Sequence, residues 1–199
     1  MRIQPLILLA ILPLFSACSI VQSKYPLAPR SSAVRDGRLE GLWEADLGKG
    51  EFQYVFFTYH AGSSDGSIME FKKNDAGSIS SAHYDFYVTR TSKHDYLNVT
   101  NGHTDNEQDF PVGKPGTYSF AEYHFNWMGR LVYSMVGGDA FAKAVDEGKL
   151  KGKVDRDNKK NVTAIYLTDS SKHILNFIES SKPQDVFQST AKLTRVGGP

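Results

Sequence analysis

From Phe52 to the C-terminus the chain breaks into short runs rich in aromatic and β-branched residues, with turn signals about every 8–12 residues. Few folds tolerate that spacing, because a parallel α/β fold needs long helical connections between its strands. The run Phe52–Tyr59 stops at Ala61-Gly62-Ser63-Ser64-Asp65-Gly66, and Ser67–Lys72 returns as its hairpin partner. After the turn Asn74-Asp75-Ala76-Gly77, Ser78–Thr91 alternates. Ala82, Tyr84, Phe86 and Val88 take one side and His83, Asp85, Tyr87 and Thr89 the other. Tyr96–Thr100 reads as a short strand, and Asn101–Gly116 as a polar loop.

Tyr118–Trp127 alternates again, with Phe125 and Trp127 on one face and Glu122, His124 and Asn126 on the other, and Met128-Gly129-Arg130 turns it into Leu131–Val136. One segment has helical spacing. In Asp139–Glu147, Phe141, Ala144 and Val145 share a face, Asp139 can cap the start and Gly148 can end it, which suits a short helix across an open barrel end. Val162–Thr168, His173–Ile178 and Val186–Val196 read as three further strands. The pattern predicts an all-β, antiparallel meander barrel of about ten strands with one short helix, since closing a meander removes its exposed edges.

The N-terminus reads differently. Arg2 precedes an apolar run, Leu6–Leu14, too short to span a bilayer, and small residues then lead to Cys18, the only cysteine. Ser16-Ala17-Cys18 resembles the lipobox of bacterial lipoproteins, in which the cysteine carries acyl chains, palmitate among them, and becomes the new N-terminus. The position three before it, usually Leu in that family, is Phe15 here, with Leu14 beside it. This divides the chain into a signal peptide (1–17), a lipidated cysteine with a flexible tether (18–36, including Tyr25-Pro26-Leu27-Ala28-Pro29) and a barrel domain (37–199). Ser19 follows the cysteine in place of the aspartate associated with inner-membrane retention in those lipoproteins. The resemblance thus implies the bacterial envelope and the outer membrane, with the domain facing the periplasm.

Charge narrows the partners. Residues 1–17 hold one basic residue, Arg2, and no acidic one, so Lys+Arg falls from 23 to 22 against 22 Asp+Glu and the mature chain is formally neutral. No basic block offers a footprint for nucleic acid. With Cys18 lipidated, the domain has no thiol for a disulfide or a thiolate metal site.

Gly41-Leu42-Trp43 resembles the Gly-x-Trp signature of lipocalins and related calycin barrels. The resemblance implies that Trp43 packs at the closed barrel end, that Arg195 in Leu193-Thr194-Arg195 covers it, and that the lumen carries small hydrophobic molecules. A counterpart of the family's middle Thr-Asp-Tyr signature is missing, and the pattern places three strands after Asp139–Glu147, where the family's helix comes after its main strands.

The chain shows no catalytic or metal-ligating constellation in its sequence. The histidines (His60, His83, His94, His103, His124 and His173) lack metal-ligand spacing and read as solvated. Ser189-Thr190-Ala191-Lys192 matches Ser-x-x-Lys, but in a strand and without partner motifs. Asp105, Glu107 and Asp109 lack the glycine of a compact calcium loop. Asp85 and Glu122 could form an acid–base pair only if their strands bring them together. The sequence therefore predicts no enzyme, no cofactor and no metal.

The expected function is a monomeric, membrane-anchored lipoprotein that binds or carries a small hydrophobic ligand, with Trp43, Phe56, Tyr84, Phe86, Phe125 and Trp127 as lumen candidates. The alternative is a structural or protein-interaction lipoprotein with a filled barrel, presenting Tyr54, Tyr59, Tyr87 and Tyr123 as an outer aromatic patch.

Overall fold

The computed structural model describes residues 20–48, 51–73, 78–104 and 116–197. Alternation does build a closed barrel. Seven strands pair in chain order, each antiparallel to the next: β2 (Gly41–Gly48), β3 (Glu51–Tyr59), β4 (Asp65–Lys73), β5 (Ile79–Arg90), β6 (Asp95–Thr104), β7 (Tyr118–Phe125) and β8 (Leu131–Val136). The eighth, β11 (Phe187–Arg195), pairs with both β8 and β2 and closes the ring. The fold is an antiparallel meander β-barrel with three strands added outside it.

Those strands are β1 (Ile20–Ser23), β9 (Gly152–Arg156) and β10 (Val162–Leu167), in the order β7-β1-β10-β9. Everything between β8 and β11 is one insertion: α1 (Gly138–Asp146), β9, β10, α2 (Ser171–Ser180) and α3 (Pro183–Val186). Of the three strands expected after the first helix, only the last belongs to the barrel. The helix does not lie across a barrel end; α1 packs on β10 and β9.

Two expectations are corrected. His173–Ile178 is helical, lying within α2. Ser170 caps that helix by accepting a hydrogen bond from the His173 amide at 3.3 Å, and Ile174 and Ile178, four apart, are both buried. Composition suggested a strand, but the cap and the spacing select helix. The described chain thus holds three helices and a 3₁₀ turn at Arg30–Ser32, where one helix was expected.

Nor are residues 20–36 a flexible tether. Ile20 to Ser23 pair in parallel with Ala164 to Leu167, and Val34 bridges Val88. The Leu27 amide donates to Asn98 Oδ1 at 2.7 Å, and the Tyr87 hydroxyl donates to the Ala28 carbonyl at 2.8 Å. Asn98 and Thr89 face outward from the barrel and would be solvated if this segment did not cover them. Covered, they bond to each other at 2.8 Å, so no buried polar group there goes unpaired.

The result is two apolar cores separated by the barrel wall. One fills the barrel interior around Trp43, Phe57, Phe86, Leu97, Leu131 and Leu193. The other lies outside it, where Phe120, Phe141, Ile165, Leu167, Ile174 and Val186 are all fully buried. Each such side chain contributes about 1.5–3 kcal/mol of apolar burial, so the insertion is held to the barrel as part of one packed body.

Candidate ligand-binding cavity

One end of the barrel is sealed. Trp43 is 1% exposed, and its indole N–H donates to the Leu39 carbonyl at 2.7 Å. The Arg195 guanidinium lies 4.5 Å from the indole centroid and donates to the carbonyl of Glu40 at 2.6 Å and to that of Arg38. Gly41 makes this possible. Its φ is +127°, and a Cβ there would stand 2.6 Å from Arg195 Nη1. The outer side of the seal is an ion network. Asp36 accepts from Arg38 at 2.6 Å and from the Tyr123 hydroxyl at 3.1 Å, and Arg90 pairs with Asp95 at 2.7 Å. Burial pushes the Asp36 carboxyl up, but the hydrogen bonds and charge of Arg38 more than offset this and hold it below the ordinary range.

Farther along the lumen a cavity of about 240 Å³ remains. Its apolar wall comes from Val55, Phe57, Ile68, Leu97, Val99 and Met135. Five polar side chains face the same space: Gln53, Glu70, Tyr84, Ser119 and Tyr133. Gln53 Nε2 donates to Glu70 Oε2 at 3.3 Å. Burial pushes the Glu70 carboxyl up to about 7, and that single hydrogen bond only partly opposes the rise. Burial raises the Tyr84 and Tyr133 hydroxyls too, with the Glu70 charge adding to both, so these three half-buried groups share one region. Space of this size with an apolar wall and a few convergent polar groups is the form of a small-molecule site.

Of the lumen candidates read from the sequence, Tyr84 alone lines the cavity. Trp43 and Phe125 pack against each other at the sealed end, ring centroids 5.8 Å apart. Phe86 is fully buried in solid core, edge-on to Phe57 at 5.5 Å and pressed against Gly66, where a Cβ would stand 2.6 Å from its ring. Phe56 is 40% exposed on the outer wall, because Val55 and Phe57 beside it take the inward positions of β3. Trp127 is 91% exposed: β7 ends at Phe125, and Trp127 sits in the turn closed by the Gly129 amide on the Asn126 carbonyl at 2.9 Å. Gln53, Glu70 and Tyr133 were missed; the sequence of β4 carries no signal for Glu70, because Met69 and Phe71 make the opposite face the more apolar one.

Other expected features separate as well. Tyr59, Tyr87 and Tyr123 are buried, which leaves Tyr54 alone of the outer aromatic patch. Asp85 lies opposite Thr100, where Ser67 donates to it, whereas Glu122 lies opposite Tyr96 and pairs with His94 at 2.6 Å, so they are not an acid–base pair. Ser189 and Lys192 are both in β11, and Cys18, Asp105, Glu107 and Asp109 lie outside the described residues. Among the described residues no three His, Cys, Asp or Glu side chains cluster as metal ligands would. No helix there is long and apolar enough to cross a membrane. No family model matches the chain, and no curated protein or solved structure is significantly similar to it.

Because Phe86 is packed on every side, Phe86→Trp should destabilise the fold by about 1–3 kcal/mol through overpacking. Urea denaturation measures that loss. Binding in the cavity should be unchanged under conditions where the variant is folded, since Phe86 does not line it.

Proposed function

We propose that this protein is a lipid-anchored lipoprotein of the bacterial envelope whose lipocalin-like barrel binds a small hydrophobic ligand. The observation that carries the reading is the 240 Å³ cavity, walled by apolar side chains inside a barrel whose opposite end is plugged. The stacking of Arg195 over Trp43 supports the likeness to lipocalins, because that is the arrangement the resemblance implies. The reading assigns the site to binding and requires no catalysis, cofactor or metal. It places the protein as a monomer on the outer membrane, facing the periplasm.

Acyl chains on Cys18 would begin only two residues before β1. Ile20 is level with Ala164, near the start of β10, beside the β9–β10 turn that exposes Lys159 and Lys160. On this reading the turn lies near the headgroups, with Lys159 and Lys160 beside the Asp157 carboxylate of the same turn. Cys18→Ser should move the protein from the membrane fraction to the soluble fraction, and unchanged fractionation would remove the anchor from this account. Native mass spectrometry of protein extracted from its own membrane should show one retained small molecule per chain.

The alternative reading, an envelope interaction protein, has one observation behind it. Trp127 and Met128 are 91% and 50% exposed on the same turn. Loss of a co-purifying protein on Trp127→Ala, with an empty cavity in the parent, would favour it.

A further inference from the structure

The cavity is charged on one side only. Among the described residues Glu70 is its one carboxylate, and no described lysine, arginine or histidine lines it. Among the described residues, the polar groups lining the cavity with Glu70 are Gln53 from β3, Tyr84 from β5, Ser119 from β7 and Tyr133 from β8. On its own strand Lys72 shares its side two residues farther along, yet no ion pair joins the two. A half-buried carboxylate held by one amide hydrogen bond is costly, and a fold retaining it for stability alone would supply a cation.

We propose that the lumen selects small amphiphiles with a protonated amine head, the ammonium bound to Glu70 among Gln53, Tyr84 and Tyr133 and the tail lying against Val55 and Leu97. This rests on the ligand-binding reading above and names its ligand class. An ammonium brings three donors and no acceptor. The Glu70 carboxylate, the Gln53 carbonyl oxygen and the tyrosine oxygens are the acceptors that can receive them. A carboxylate head would instead set a second negative charge beside Glu70 in a partly desolvated site, and an alcohol could satisfy only part of the acceptor set. Size limits the tail. An apolar cavity of about 150 Å³ takes one benzene and drug-sized pockets begin near 300 Å³, so 240 Å³ suits a guest of about ten heavy atoms.

The test is isothermal titration calorimetry on the full chain carrying Cys18→Ser, with n-octylamine, 1-octanol and octanoate as probes at pH 8. Octylamine should bind at least about tenfold more tightly than octanol, the least expected of a charge-assisted hydrogen bond, and octanoate at least about tenfold more weakly. Glu70→Gln, which keeps the side-chain shape, should bring octylamine to within about threefold of octanol and leave octanol unchanged. In the parent the amine's advantage should shrink at pH 5.5, where Glu70 is protonated, a readout that does not depend on the variant's folding. Octanoate binding as tightly as octylamine would overturn the ligand class, as would an amine affinity indifferent to both Glu70→Gln and pH. Octanol binding in those cases would leave the cavity's role as an apolar site intact. Binding of none of the three would overturn that role, and the amine proposal with it.

Discussion

Trp43→Ala should cost the barrel about 3–5 kcal/mol, the range for removing a large aromatic side chain from a packed core. The loss has three sources on this structure. The indole's apolar contacts with Phe125 go, the hydrogen bond that the indole donates to the Leu39 carbonyl goes, and the Arg195 guanidinium loses the ring on which it lies. The effect should therefore exceed that of Trp127→Ala, which removes the other tryptophan from a fully wetted turn and should shift stability by less than about 0.5 kcal/mol. Urea denaturation followed by circular dichroism separates the two. Comparable losses for both would mean that Trp43 is not the plug of the barrel.

Glu70→Gln should stabilise the protein, and only above acidic pH. The folded-state carboxyl is raised from 4.5 to about 7, so between those values the native state keeps a proton that the unfolded chain has released. Stability from this group is then greatest below pH 4.5, falls as pH rises through that window, and is fully lost above 7. The difference corresponds to about 3 kcal/mol. The variant should gain up to that amount at pH 8, gain almost nothing at pH 4, and lack the slope between. Chemical denaturation of both proteins across this range reads the difference directly, because every other titrating group is common to them. Parallel pH profiles would show that the Glu70 carboxylate is solvated and would remove the dry polar head of the cavity.

The barrel was legible from the sequence because its strands obey a simple rule over long stretches. In β5 the inward set Ala82, Tyr84, Phe86 and Val88 is the one alternation predicts. The rule failed where both faces of a strand are covered or both are aromatic. Tyr87, Thr89 and Asn98 face outward yet are buried, because residues 24–36 lie over them, and no periodicity reveals a cover contributed by a distant segment. In β3, Phe52, Tyr54 and Phe56 are as apolar as Gln53, Val55 and Phe57, so the sequence alone did not decide which set faces the lumen.

The site failed for a related reason. In Ile68-Met69-Glu70-Phe71, apolarity points Met69 and Phe71 inward, but the pairing of β4 with β3 and β5 turns Ile68 and Glu70 into the lumen and leaves Met69 40% exposed. A charge at an inward position breaks the pattern that specifies the fold, and such breaks are expected where a binding site is built. The helix α2 was hidden by composition, its signal confined to the Ser170 cap and the spacing of Ile174 and Ile178.

The central claim is that the lumen of this barrel takes one small apolar guest. Methyl nuclear magnetic resonance during titration with 1-octanol tests it most directly, with Val55, Ile68, Leu97, Val99 and Met135 as reporters on the cavity wall. Their signals should shift together and saturate at one guest per chain, while the methyls of the outer core, such as Ile165 and Ile174, stay still. Val99→Trp, which fills the cavity from its half-buried edge, should abolish the response without unfolding the protein. Shifts that never saturate, that spread to the outer core, or that persist in Val99→Trp would contradict the claim.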